Sequence, residues 1–191
     1  MVKHLKKTLS LFLAILMVLS CVPVVSFAAE TSGTCGDSAT WSFDETTGTL
    51  IIGGTGDMEK YGSYYSVPWY SFCTNITNVI ITDGVTSIGN YAFYGCSNLV
   101  NVTISDTVTL IGHSSFMNCT SLTEITIPTS VTSIGATSFG SCTSLATLNY
   151  PTTQITFDKT MLSGCTVLKT IKITGSGAMF NCGSGNQPWN A

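Results

Sequence analysis

The sequence predicts a mainly β solenoid whose coils stack equivalent strands into a parallel ladder. Three observations carry that expectation. Cys73, Cys96, Cys119, Cys142 and Cys165 recur every 23 residues. Apolar columns hold the same phase and end each time in apolar–polar alternation. Charge is sparse, at 9% of 191 residues against 44% hydrophobic, as expected when much of each coil faces a core. Such a chain is no disordered acidic or basic tail. Nor does it suit nucleic acid, which needs clustered Lys and Arg on phosphates. All seven basic residues are lysines, three of them Lys3, Lys6 and Lys7.

The chain opens on a processing signal. The three lysines precede the apolar run 9–19, and Ser26-Phe27-Ala28-Ala29 supplies the small residues of a cleavage site after Ala28. Residues 1–28 therefore read as a secretory signal peptide, too short in its apolar run to span a bilayer. A minority alternative makes Cys21 a lipid-anchored N-terminus, a motif that Leu19 fits poorly. After cleavage four lysines face ten acidic residues, a net charge of −6, and no second long apolar segment follows.

Each unit then repeats one physical pattern. Three residues after each cysteine stands Ile76, Leu99, Leu122, Leu145 or Leu168. Next come Val79, Val102, Ile125, Leu148 and Ile171, and two residues on, Ile81, Ile104, Ile127, Tyr150 and Ile173. That alternation marks a half-buried strand. A second apolar pair (Val85/Ile88, Val108/Ile111, Val131/Ile134) suits an extended segment on the opposite side. Gly89, Gly112 or Gly135 follows to permit a turn, and Phe93, Phe116 or Phe139 returns a ring to the centre. One unit cannot bury its own apolar face, but stacked units bury a continuous column.

The unit from Cys119 to Phe139 resembles the 23-residue leucine-rich repeat of BspA-like bacterial surface proteins. The segment 33–58, with Trp41-Ser-Phe43 and Gly53-Gly-Thr-Gly-Asp57, is similar to the cap that opens such arrays. The resemblance implies a right-handed leucine-rich repeat solenoid with an N-terminal β-rich cap. The expected organisation is signal peptide 1–28, cap and junction 29–72, an array of about five units over 73–174, and a terminal segment 175–191. The fourth unit departs from the pattern at Gln154, Phe157 and Asp158, and Met161-Leu162 replace its small residue and ring, so a distorted convex side is expected there. The fifth keeps only its strand. Residues 175–179 echo 54–58, and Pro188-Trp189 echo Pro68-Trp69. The echo is either a short C-terminal cover or the start of a second array, and an uncovered end would favour an end-to-end homodimer.

The cysteine column reads as buried hydrophobes. Parallel side chains on adjacent rungs make poor bridges, so free thiols are expected, with Cys35 and Cys182 the better pairing candidates. No metal is expected, since no two cysteines have the spacing of a closed zinc site. Gly53-Gly-Thr-Gly-Asp57 is read as a glycine-rich turn leaving a strand rather than a calcium loop. Catalysis finds little support and no cofactor is implied. His113 is the single histidine after residue 28, no serine lies in a nucleophile elbow, and Asp44, Glu45, Asp57 and Glu59 read as solvated turn carboxylates.

Surface remains. The outward strand positions Asn78, Ile80, Asn101, Thr103, Glu124, Thr126, Asn149 and Lys172 would form a nearly uncharged concave face suited to binding, or a plain β surface. Tyr61, Tyr64, Tyr65, Trp69 and Tyr70 would cover the solenoid end or stack on a sugar or protein. The resemblance implies a secreted or cell-surface adhesion module for an extracellular protein or glycan. The alternative is a structural spacer or appended module of a larger protein.

Overall fold

A computed structural model describes residues 31–151, 160–174 and 179–181. The signal-peptide reading, with Cys21, falls outside them, as do Gln154, Phe157, Asp158, Cys182, Pro188-Trp189 and most of the terminal echo.

The chain begins with an antiparallel meander of β1 (Ser32–Thr34), β2 (Ala39–Asp44) and β3 (Thr49–Gly54). Alternation decides which face of β2 is buried: Ala39, Trp41 and Phe43 point inward while Thr40, Ser42 and Asp44 face water. Asp44 Oδ1 closes the β2–β3 turn by accepting from Thr46 N and Oγ1 at 2.8 and 2.6 Å. β3 leads directly into the repeat array. It pairs in parallel with β5 (Asn78–Ile81), which pairs with β7 (Asn101–Ile104), setting Leu50, Val79 and Val102 in one row.

The ladder resumes in β9 (Glu124–Thr126), β11 (Thr147–Pro151) and β12 (Thr170–Thr174), again parallel. Between β7 and β9 the hydrogen-bonded sheet is interrupted. Thr82 N and Ser105 N each donate to the preceding rung, at Ile52 O and Ile81 O. The next position in that column is Pro128, which has no N–H to give. β13 (Met179–Asn181) then pairs antiparallel with β12. Both outer rungs of the ladder thus carry an antiparallel neighbour, β2 on β3 and β13 on β12.

A second ladder lies on the other side of the core: β4 (Gly56–Asp57), β6 (Val85–Ile88), β8 (Leu110–Ile111) and β10 (Ser133–Ile134), all parallel. The glycine-rich segment is therefore more than a turn, because Gly56–Asp57 forms the first rung of this sheet. The glycines after Ile88, Ile111 and Ile134 also serve differently from expectation, since none has a positive φ. A Cβ on Gly112 would sit 2.7 Å from Asn90 N, and one on Gly135 2.5 Å from His113 N. Close stacking of backbones, not turning, requires them.

The core between the ladders is a column of rings. Phe93, Phe116 and Phe139 are fully buried and stack at 5.1 and 5.4 Å. Trp69 extends the stack onto Phe93 at 5.9 Å, and its Nε1 donates to Ala92 O at 2.7 Å. Leu162 takes the next position and is buried too. Two backbone columns are left-handed: Tyr91, Ser114 and Thr137 at φ 57, 51 and 53°, and Gly95, Asn118, Ser141 and Gly164 at 73, 64, 56 and 80°. The repeat imposes that conformation whatever residue occupies it.

Candidate binding surface

The outward positions of the ladder form two rows. Asn78 and Asn101 pair in register, as do Ile80 and Thr103, while Asn149 faces Thr126 on one side and Lys172 on the other. Asn101, Thr103, Glu124, Thr126 and Lys172 are exposed, as is Ile80; Asn78 and Asn149 are partly so. Parallel pairing places identical or complementary groups one rung apart, so they bond across rungs. Asn101 Nδ2 donates to Asn78 Oδ1 at 2.8 Å. Asn149 Nδ2 donates to Glu124 Oε1 at 2.7 Å and to Thr126 Oγ1 at 2.8 Å. The amides are held in place, leaving lone pairs and N–H groups facing water.

The cysteine column is buried as expected, but its chemistry is not uniform. Cys73 and Cys96 form a disulfide, against the expectation of free thiols. Their Cα atoms are 4.6 Å apart, inside the range a bridge tolerates. Cys35, a favoured pairing candidate, is instead a buried free thiol. Cys119, Cys142 and Cys165 remain free and donate to Phe93 O, Phe116 O and Phe139 O at 3.2, 3.1 and 3.0 Å. Each acceptor lies 26 residues back. For Cys96 that position is Tyr70, inside the 3₁₀ turn Tyr70–Phe72, and the sulfur bonds Cys73 instead. Burial pushes all four free thiols up: Cys165 to about 11, Cys35 to about 12, Cys142 further still, and Cys119 well above its ordinary value. Protonated, enclosed thiols are poor nucleophiles and poor ligands.

The aromatic cluster divides. Tyr61 and Trp69 are buried against the array, Trp69 meeting Trp41 edge-on at 5.8 Å. Tyr65 and Tyr70 stay exposed, with Tyr64 between them, and Tyr91 and Tyr94 join them from the first coil. Sequence reasoning missed those two. The signal was available, because the later coils carry Ser114 and Met117, then Thr137 and Gly140, at the same places.

Two carboxyls and the histidine are engaged locally. Asp44 is held below its ordinary value by its hydrogen bonds to Thr46, and Asp57 by its bond from Thr86 Oγ1 at 2.7 Å. Carboxyls so lowered are ionised and do not serve as general acids near neutrality. Asp57 lines an open depression with Asp37 and Glu59, yet among the described residues no three acidic, His or Cys groups are placed to hold a metal. His113 Nε2 lies 3.1 Å from Ser114 Oγ, whose other partner is Thr137 Oγ1 at 2.8 Å. Among the described residues no carboxylate bonds that imidazole, so the orienting member of a nucleophilic set is missing.

Comparison with known proteins agrees with this architecture. Three solved structures share the fold. A leucine-rich repeat protein from Eubacterium ventriosum matches at 22% identity and TM-score 0.57, over 79% of this chain and 48% of its own. A leucine-rich cell surface protein from Faecalibacterium prausnitzii matches at 24% and 0.57, over 77% and 40%. The Treponema pallidum leucine-rich repeat protein matches at 23% and 0.50, over 73% and 71%. The chain thus spans less than half the length of the first two. No curated protein matches. The BspA type leucine-rich repeat region matches residues 66–182 in six copies, a span that contains the whole array marked out by the 23-residue period, and the chain belongs to that family.

Proposed function

We propose that the chain is a non-catalytic binding module acting at or outside the cell surface, where it engages an extracellular protein or glycan through the exposed face of the β5–β7–β9–β11–β12 ladder. The observation that supports this is the preorganisation of that face. Two rows of short amides, hydroxyls and one carboxylate are fixed one rung apart by the Asn101–Asn78 and Asn149–Glu124 bonds. A partner with regularly placed donors and acceptors then meets side chains that lose little further freedom on binding. Export is read from residues 1–28. Among the described residues no helix is long and apolar enough to cross a membrane. The Faecalibacterium prausnitzii relative is a leucine-rich cell surface protein, which points the same way.

A spacer role is the second reading, favoured by the same bonds, since amides satisfied within the ladder need no ligand. Glycan-array and protein pull-down screening separates the two. Combined substitution of Asn78, Asn101, Glu124 and Asn149 by alanine is expected to abolish binding of any ligand so found. Binding unchanged in that variant sinks the ladder-face assignment, and no ligand at all leaves the spacer.

A further inference from the structure

The chain has seven tyrosines. Tyr61 and Tyr150 are buried, and the others lie together where the cap junction meets the first coil. Tyr65 and Tyr70 are 63% and 42% exposed, while Tyr64, Tyr91 and Tyr94 are half-buried. Tyr64 is the centre of the group, its ring centroid 3.9 Å from Tyr65, 4.6 Å from Tyr94 and 5.8 Å from Tyr70. We propose that Tyr64 and Tyr94 form an oxidative cross-linking site, joined as dityrosine by a haem peroxidase consuming hydrogen peroxide. The site does not depend on what the ladder face binds.

Every tyrosine that a one-electron oxidant can reach has another phenol beside it. Tyr64 and Tyr94 are stacked nearly parallel, at 20°, and belong to segments 30 residues apart in the chain, so no short tether holds their ring carbons away from each other. Tyr64 and Tyr65 are closer but consecutive, and a ring-to-ring bond between them would close a tight cycle through one planar peptide. Their contact serves another step. Tyr64 O–H donates to Tyr65 Oη at 2.5 Å, and that bond pushes the Tyr64 phenol up to about 12, so it is protonated near neutrality. Taking an electron from Tyr64 therefore means moving its proton as well. Tyr65 is placed to accept that proton while passing its own to water.

The chemistry balances with one peroxide. Each phenol gives up one electron and one proton, leaving two phenoxyl radicals whose spin reaches the carbons ortho to oxygen. A carbon–carbon bond forms between an ortho carbon of each ring. Each of those carbons then releases its proton as its carbonyl oxygen regains one, which restores both aromatic rings. The pair loses two hydrogens in all, and the peroxide O–O bond breaks to give two waters.

Two features beyond the contact support the assignment. The fold does not require a phenol at Tyr94, because Met117 and Gly140 fill that position in the next two coils. The 3₁₀ turn Tyr64–Ser66, in addition, buries none of its residues, and Ser63 at its start makes no side-chain capping bond. A covalent bond from Tyr64 to Tyr94 fastens that lightly held turn to the first coil.

The test treats the full chain with a plant haem peroxidase and limiting hydrogen peroxide, and recovers monomer from a denaturing gel. After disulfide reduction, cleavage before Asp57, Asp83 and Asp106 puts Tyr64 and Tyr94 on separate fragments, 57–82 and 83–105. The monomer is expected to show dityrosine fluorescence and a product whose mass is that of the two fragments together less two hydrogens. Tyr64→Phe, which keeps the ring, and Tyr94→Met, which copies Met117, should each abolish the linked product. Tyr91→Ser, which copies Ser114, should keep it. A linked product that persists in Tyr64→Phe or Tyr94→Met overturns the proposal, as does its loss in Tyr91→Ser. So does dityrosine confined to fragment 57–82 or to cross-linked oligomers, or no dityrosine at all.

Discussion

Replacing one ring of the central stack by leucine should cost more at Phe116 than at Phe139. Both rings are fully buried, and Leu162 shows that the column accepts leucine. A volume-conserving swap alone costs about 1 kcal/mol at either rung. The rungs differ in neighbours. Phe116 has a ring on each side, Phe93 at 5.1 Å and Phe139 at 5.4 Å, and Phe139 has Phe116 on one side and Leu162 at the following position. Phe116→Leu therefore removes two aromatic pairs and Phe139→Leu one. Each pair contributes about 0.5–1.5 kcal/mol beyond area burial, so Phe116→Leu should be the worse by about 1 kcal/mol. Urea unfolding followed by fluorescence of the buried Trp41 and Trp69 reads both variants, with the denaturant slope expected unchanged. Equal losses, or a larger loss at Phe139, would show that the column is held by burial alone.

Three more outcomes follow from local geometry. Ser115 Oγ is buried without a hydrogen-bond partner, whereas Ser138 Oγ donates to Gly112 O at 3.2 Å and to Gly135 O. Ser115→Ala, which copies Ala92, should be neutral or raise stability by up to about 1 kcal/mol, and Ser138→Ala should lower it by about 1 kcal/mol; thermal unfolding of the pair checks the contrast. Ser141 sits at φ 56° in a column whose other members are Gly95, Asn118 and Gly164. Ser141→Gly relieves about 1–2 kcal/mol of left-handed strain against about 0.5–1 kcal/mol of added unfolded-chain entropy, so a gain of about 0.5–1 kcal/mol is expected in urea unfolding. The buried thiols set a pH dependence. The unfolded thiol ionises near 9.0, while in the fold burial raises Cys165 to about 11 and Cys35 to about 12. Their contribution is therefore intact below pH 9 and is lost as pH rises through 11 for Cys165 and 12 for Cys35, and Cys165→Ala should flatten part of that fall in unfolding midpoints measured from pH 8 to 11. A parent profile flat to pH 11 contradicts the burial of these groups.

Much of the architecture could be read in advance because a solenoid repeats one environment at one chain interval. Every residue 23 positions from Leu99 faces the same core, so its apolar character recurs where anyone can count it. Features that break the interval were harder. Trp69 joins the phenylalanine stack from 24 residues before Phe93, one place out of phase, and was assigned to the solenoid end rather than to the column. Pro128 stands where Ser105 stands one coil earlier and has no N–H to give to the preceding rung, although the apolar pattern runs on unbroken. Gly112 looked like a turn residue because glycine marks turns, and only the distance to Asn90 shows that it makes room for a neighbouring backbone.

The candidate surfaces divide in the same way. Outward strand positions followed from alternation: Asn101 is exposed and Asn149 partly so. What they bond to did not follow, since register between rungs is a long-range property. The tyrosines near residue 65 were visible as a cluster, but not which of them the core would absorb.

From the sequence alone come the coil length, the inward columns and the class of fold, since burial periodicity is written along the chain. Only the tertiary structure decided the fates of chemically identical residues. Cys96 and Cys119 share a column, yet one is bonded to Cys73 and the other donates to the Phe93 carbonyl. Tyr61 is enclosed while Tyr65 faces water. Those outcomes depend on what the neighbouring coil presents within a few ångströms, and residues 23 or more apart in sequence become neighbours only when the coils stack.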